Sequence, residues 1–122
     1  MNGVASLVER WQRSELYVRC ALAPKEPTHV QLYLHLGRKL AARDDRASLA
    51  IQMRMLATLL KSAEDEALPW SWRSLCLEHA TLPLAQVTWA CRLHDPIAVD
   101  AVEAAVRRAW LRLPLGPSHQ LS

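Results

Sequence analysis

Trp72-Arg73-Ser74-Leu75-Cys76-Leu77-Glu78-His79, followed by Ala85, Trp89, Leu93 and the pair Asp95-Pro96, is the stretch on which the reading of this chain turns. As ligand spacing it is Cys76-x2-His79, eleven residues, then Cys91-x2-His94, donors of the kind that hold structural zinc. As packing it is an antiparallel helix pair turning at Thr81-Leu82-Pro83, because proline is poorly tolerated inside a helix. The helical rise weighs the two. With Leu82 at the turn, Cys76 faces Thr88, roughly 4.5 Å along the axis from Cys91. His79 faces Ala85, roughly 13 Å from His94. A tetrahedral site needs all four donors about 2.0–2.3 Å from one point, which a straight hairpin does not provide. Cys76 and Cys91 are therefore read as small buried hydrophobes, and His94 as suited to a helix C-terminus. A zinc-binding module using Cys76, His79, Cys91 and His94 stays as an alternative, and no metal is expected.

Composition sets the surroundings. The 122 residues suit one domain, and 51% hydrophobic content is enough for a core. Glycine is scarce, and Ala, Leu and Arg dominate, which favours helix over sheet. Cys20, Cys76 and Cys91 are odd in number and widely spaced, so a reducing cytoplasm fits better than a disulfide framework. Glu9 and Arg10 fall where a signal peptide would be apolar, and no run reaches the ~18 apolar residues of a membrane span. Residues 25–62 carry seven basic against three acidic side chains, and residues 63–96 two against five. The basic part is most simply a solvated helix face.

Helices are predicted outward from the central stretch. Helix-breaking Ala23-Pro24-Lys25-Glu26-Pro27 separates a first helix at about 3–20, with Val4, Leu7, Val8, Trp11 and Val18 near one face, from a second at 28–42. Thr28 and Gln31 suggest a capping box for the second. Asp44 or Asp45 caps a third at 45–62. Pro69 opens a fourth at 70–80, a fifth runs 84–94, and Asp95-Pro96 starts a sixth with Asp as N-cap and Pro at the first position. The expectation is an all-α domain of about six helices over 1–113 and a flexible tail at 114–122.

Two units repeat one spacing. Tyr33-x2-Leu36-Gly37-x2-Leu40 has the aromatic, Leu-Gly and large apolar positions of a tetratricopeptide first helix, with Gly37 allowing a close approach. In its partner helix Leu49 takes the small position and Met53 the aromatic one. Trp72-x2-Leu75-Cys76-x2-His79 repeats the spacing with Cys76 for glycine, and Ala85 and Trp89 take the small and aromatic positions of a second partner helix. The fold expected is a tetratricopeptide-like stack of antiparallel pairs, 28–42 with 45–62 and 70–80 with 84–94.

Over residues 30–110 the chain resembles the tetratricopeptide-like chaperones of the type III secretion needle subunit. The resemblance rests on Pro69-Trp70, Trp72/Leu75/Cys76, Leu84-Ala85 and Asp95-Pro96, with Arg54 and Glu66-Ala67-Leu68 at similar spacings. It departs in the shorter interval from Leu68 to Trp72 and in Thr81-Leu82-Pro83, which replaces a glycine-containing turn. The resemblance implies a cytosolic holdase that cradles the amphipathic helix of a small self-assembling subunit, with a small co-chaperone, and so blocks polymerisation before export. In such a stack the first helices line the groove. Leu32, His35, Lys39, Arg73, Leu77 and Glu78 are then the candidate partner contacts. Tyr33, Leu36, Leu40, Trp72, Leu75, Cys76, Ala85 and Trp89 are candidate scaffold core.

The rivals are weaker. Gly3, Gly37 and Gly116 form no phosphate loop, and no nucleophile–base pair stands out, so neither enzymatic activity nor a cofactor is expected. A small nucleic-acid-binding regulator would use Arg38, Lys39, Arg43, Arg46 and Arg54, and would need them on one exposed face.

Overall fold

The computed structural model describes residues 3–113, and among them there is no strand. The helices are α1 (Gly3–Cys20), α2 (Thr28–Arg43), α3 (Asp45–Glu64), α4 (Trp70–His79), α5 (Thr81–His94) and α6 (Pro96–Arg112). The expected tail at 114–122 and the side chains of Val4 and His94 lie outside the described residues.

Local chemistry sets most boundaries. Asp44 caps α3 by accepting from the Arg46 backbone N–H at 3.0 Å. Asp95 caps α6 by accepting from the Ala98 N–H, with Pro96 at the first helical position. The capping box at Thr28 does not form: Thr28 is already inside α2, and Pro27 precedes it without a side-chain cap. Backbone bonds from His29 to the Glu26 carbonyl and from Val30 to the Pro27 carbonyl close that end instead.

The predicted hairpin at Thr81-Leu82-Pro83 is the principal correction. Ala80 keeps right-handed helical angles, its N–H bonds back to the Cys76 carbonyl, and its own carbonyl accepts from Leu84. The chain bends there and runs on, so α4 and α5 form one interrupted rod. The described residues therefore make five helical rods, where the sequence suggested six helices and a second antiparallel pair. Proline is the physical reason for the difference. Pro83 sits in the first turn of α5, where helix N–H groups have no intrahelical acceptor, so its missing donor is no loss. It interrupts the helix without reversing it.

The α4–α5 rod lies antiparallel on α3 along its length. Arg73 meets Ala63, Leu77 packs with Ala63, Gln86 lies by Gln52, and Trp89 lies by Leu49. Helix α3 is thus shared by two three-helix groups. One is α1–α2–α3. The other is α3, the α4–α5 rod and α6, which returns beside α5 and reaches α3 through Arg112–Glu64 at 2.9 Å.

The core is continuous through both groups. Leu7, Trp11 and Val18 of α1 pack against Tyr33, Leu36 and Leu40 of α2 and Met55 and Leu59 of α3. A side chain at Gly37 would overlap Met55 Sδ and sit 2.9 Å from Trp11 Nε1, so glycine there sets how closely three helices meet. Trp72 is buried, and its indole N–H donates to the Val18 carbonyl at 2.8 Å, tying α4 to the end of α1. Arg73, only 4% exposed, donates from Nε to the Ala63 carbonyl at 2.8 Å and closes the C-terminus of α3.

Candidate functional site

Helix α3 carries two apolar stripes. Met55, Leu56 and Leu59 point into the protein and are buried, with the polar Gln52 and Ser62 buried beside them. Leu49, Met53, Ala57 and Leu60, at three- and four-residue intervals, mark a second stripe on one face of the helix. Helices α5 and α6 flank this stripe without covering it. Val87 of α5 and Val102 and Ala105 of α6 form the far wall of a depression of about 190 Å³ over Met53 and Ala57. A second depression of about 290 Å³ lies between Leu49 and Gln52 of α3 and Trp89 and Ala90 of α5. Leu49 and Met53 stand one helical turn apart on the stripe, but the two depressions share no lining residue: the trough is the first, and the second adjoins a hollow against α2 through Gln52 and Gln86. Met53 is 48% exposed and Trp89 67% exposed. The trough widens at its other end beside Lys61, Glu64 and Arg108.

A polar hub on the opposite side pins α3 with this stripe outward. The Glu15 carboxylate of α1 accepts from Tyr33 Oη, from Thr58 Oγ1, and from Arg54 at both Nε (3.0 Å) and Nη2 (2.6 Å). Burial would raise the Glu15 pKa, but the bonds from Arg54, Tyr33 and Thr58 outweigh it and hold the carboxyl below its ordinary value. Burial, with the bond to Glu15, pushes the Tyr33 hydroxyl well above its ordinary value. The Arg54 guanidinium also lies 4.9 Å over the Trp11 ring, which stacks on Tyr33 at 5.8 Å. Three helices are fixed relative to one another by one carboxylate.

The candidate contacts of the predicted groove are split by this architecture. Leu32, His35, Lys39 and Glu78 are exposed. Arg73 and Leu77 are not: Leu77 is fully buried against Ala63 and Ala109, and Arg73 is spent on the α3 carbonyl. Leu77 lies between α3 and α6 and Arg73 against the end of α3, so neither is open to a partner. Of the candidate core, Tyr33, Leu36, Leu40, Trp72 and Cys76 are buried and Leu75 is half-buried. Ala85 and Trp89 are exposed, against expectation. The reason is helical phase. Pro83, Val87 and Cys91 form the buried stripe of α5, and Ala85 and Trp89 lie two residues off it, on the far side.

The Cys/His spacing also dissolves in the rod. Cys76 and Cys91 lie on one helical run, roughly 20 Å apart along the axis, so they do not share a centre. Burial pushes the Cys76 thiol up to about 12, which keeps it protonated. The half-buried His79 ring interacts through Nδ1 with the Leu75 carbonyl at 2.9 Å. Among the described residues no group of three or more His, Cys, Asp or Glu converges. No helix among them is long and apolar enough to cross a membrane.

The chain matches no family model, no curated protein and no solved structure among those with which it was compared.

Proposed function

We propose that the protein is a binding scaffold that holds an amphipathic helix of a protein partner in the trough over α3, α5 and α6, with no chemistry of its own. The observation that carries this reading is the uncovered apolar stripe of Leu49, Met53 and Ala57, walled by Val87 and Val102 over Met53 and Ala57, with the exposed Trp89 beside Leu49 in the neighbouring hollow. A contiguous apolar strip between helices is the surface onto which a partner helix lays its own apolar face. An exposed tryptophan at its rim is the residue type that most often anchors such contacts.

The resemblance of Trp72/Leu75/Cys76 and Asp95-Pro96 to the needle-subunit chaperones supplies the partner class. It is a small helical subunit of type III secretion that polymerises through an amphipathic helix, held in the cytosol with a small co-chaperone. The groove moves from the α2/α4 face to the α3/α5/α6 trough. Nucleic-acid binding is less favoured: Arg54 is committed to Glu15 and Trp11, and Arg38 lines a depression against Leu82 and Pro83, so the basic side chains do not share one free face.

Co-expression with the products of adjacent genes, followed by affinity purification and mass spectrometry, tests the proposal. A small helical subunit should co-purify with the wild type and be lost with Met53→Asp or Trp89→Ser, while circular dichroism and melting temperature stay nearly unchanged. Retention of that subunit by both variants would refute the trough as its site.

A further inference from the structure

A second surface, between α1 and α2, has a different chemistry from the trough. Helices α1 and α2 leave a pocket of about 240 Å³ between them. Leu32 and Leu36 make its floor, with Leu36 buried and Leu32 partly open to solvent. Tyr17 and His29 make one wall, their rings stacked at 4.6 Å. The His29 Nε2 pairs with Glu26 at 2.9 Å, which holds that wall in place. Arg10 and Arg13 stand on the α1 side.

These two arginines are the informative feature. Arg19 with Asp65, Arg54 with Glu15 and Arg112 with Glu64 hold elements in place. Arg38, Arg43, Arg46, Arg92, Arg107 and Arg108 make no ion pair among the described residues either, and what sets Arg10 and Arg13 apart is that both line one pocket. Arg10 and Arg13 pair with no carboxylate among the described residues, although they stand three apart on one helix face, where like charges repel. No acidic residue lines the pocket. A guanidinium presents a planar fork of donors that matches a carboxylate better than any other biological anion except phosphate.

We propose that the α1/α2 pocket binds a carboxylate carrying a single apolar or aromatic group, with Arg10 and Arg13 taking the carboxylate and Leu32, Leu36 and Tyr17 the apolar body. Size limits the ligand. The pocket is smaller than the ~300 Å³ at which drug-sized sites begin, so it admits about one aromatic side chain with its acid group. Two sources offer that chemistry: the C-terminal residue of a partner chain and a free small arylalkanoic acid. The site does not depend on the trough, and either can fail alone.

Titration followed by NMR, with N-acetyl-leucyl-phenylalanine, its C-terminal amide, hydrocinnamate and inorganic phosphate as probes, tests the site. The free-acid peptide should shift the resonances of Tyr17, His29 and Leu32 saturably, and the amide should bind about tenfold more weakly or worse, as expected for loss of a charged partner. Arg10→Gln with Arg13→Gln should abolish the difference between acid and amide at an unchanged melting temperature. Hydrocinnamate binding as tightly as the peptide identifies a free small acid as the ligand; binding by the peptide alone identifies a chain terminus. Equal binding of acid and amide, equal competition by phosphate, shifts confined to Met53 and Val87, or no saturation by any carboxylate at millimolar concentration would each overturn the proposal.

Discussion

On the side of α3 that faces α1 and α2, Met55, Thr58, Leu59 and Ser62 are buried, and α2 and α3 are both tied to the Glu15 carboxylate of α1. On the side that faces α5 and α6, Leu49, Met53 and Ala57 reach solvent, and Trp89 stands exposed beside them. The same helix thus presents a finished interface and an unfinished one. The first specifies the fold: Gly37 fixes the distance between helices, Glu15 their rotation, and Trp72 joins the second group to the first. The second adds little to that specification, so what it contributes is surface available to a partner.

The largest effect that would break this contrast lies at the joint between the groups. Trp72→Ala removes a fully buried ring and its bond to the Val18 carbonyl, and should cost about 3–5 kcal/mol by urea denaturation. A loss under about 1 kcal/mol would mean that the two groups are not packed through Trp72.

Gly37→Ala comes next. Alanine gains about 1 kcal/mol in helix propensity, but its Cβ must displace Met55 Sδ and crowd the Trp11 ring, and overpacking of that kind costs about 1–3 kcal/mol. The net expected is a destabilisation of about 1 kcal/mol, smaller if Met55 is also shortened. A melting temperature raised by this change would contradict the close approach.

The Glu15 hub gives a pH signature. Its carboxyl is held below its ordinary value of 4.5 in the folded protein. The unfolded state therefore takes up a proton first as pH falls, and the stability contributed by Glu15, full above about 4.5, is lost as pH drops through the lower folded value. Arg54 is half-exposed, so the contribution is about 1 kcal/mol. Glu15→Gln should flatten that part of the stability–pH curve. An unchanged acid limb would remove Glu15 from the hub.

The smallest effect is a gain. Ala21 ends α1 with φ of 49°, the left-handed region that glycine adopts without strain, while the Leu22 N–H bonds back to the Tyr17 carbonyl. Ala21→Gly should stabilise by about 0.5–1 kcal/mol in thermal unfolding. No gain would mean that the end of α1 relaxes differently in solution.

What the sequence disclosed follows from which signals are local. Asp44, Asp95-Pro96 and the proline cluster at 24–27 act within a few residues, and the bounds of α1, α2, α3 and α6 follow from them closely. The buried phase of α2 was legible because Tyr33, Leu36 and Leu40 leave only one apolar face there. The course of the chain at Pro83 was not local. A proline in a helix's first turn looks the same whether the preceding helix reverses or continues, and only burial of both α4 and α5 on α3 decides between them. Reading a turn there put Trp89 inside and Leu77 outside, the inverse of their places. A signal for the trough was present all the same. Helix α3 has apolar residues at 49, 53, 57 and 60 as well as at 55, 56 and 59, more than one core-facing stripe requires.

The trough exists only if α4 and α5 run on as one rod along α3. Spin labels at Ser71→Cys and Arg92→Cys, with the exposed Cys20 replaced by serine, measure this by pulsed electron paramagnetic resonance; Cys76 and Cys91 are buried and should stay unlabelled. Both labelled positions are exposed. A bent rod places them about 25–30 Å apart by helical rise. A hairpin turning at Leu82 would bring them to about 10 Å, the spacing of packed helices, and would remove both the trough and the binding site assigned to it.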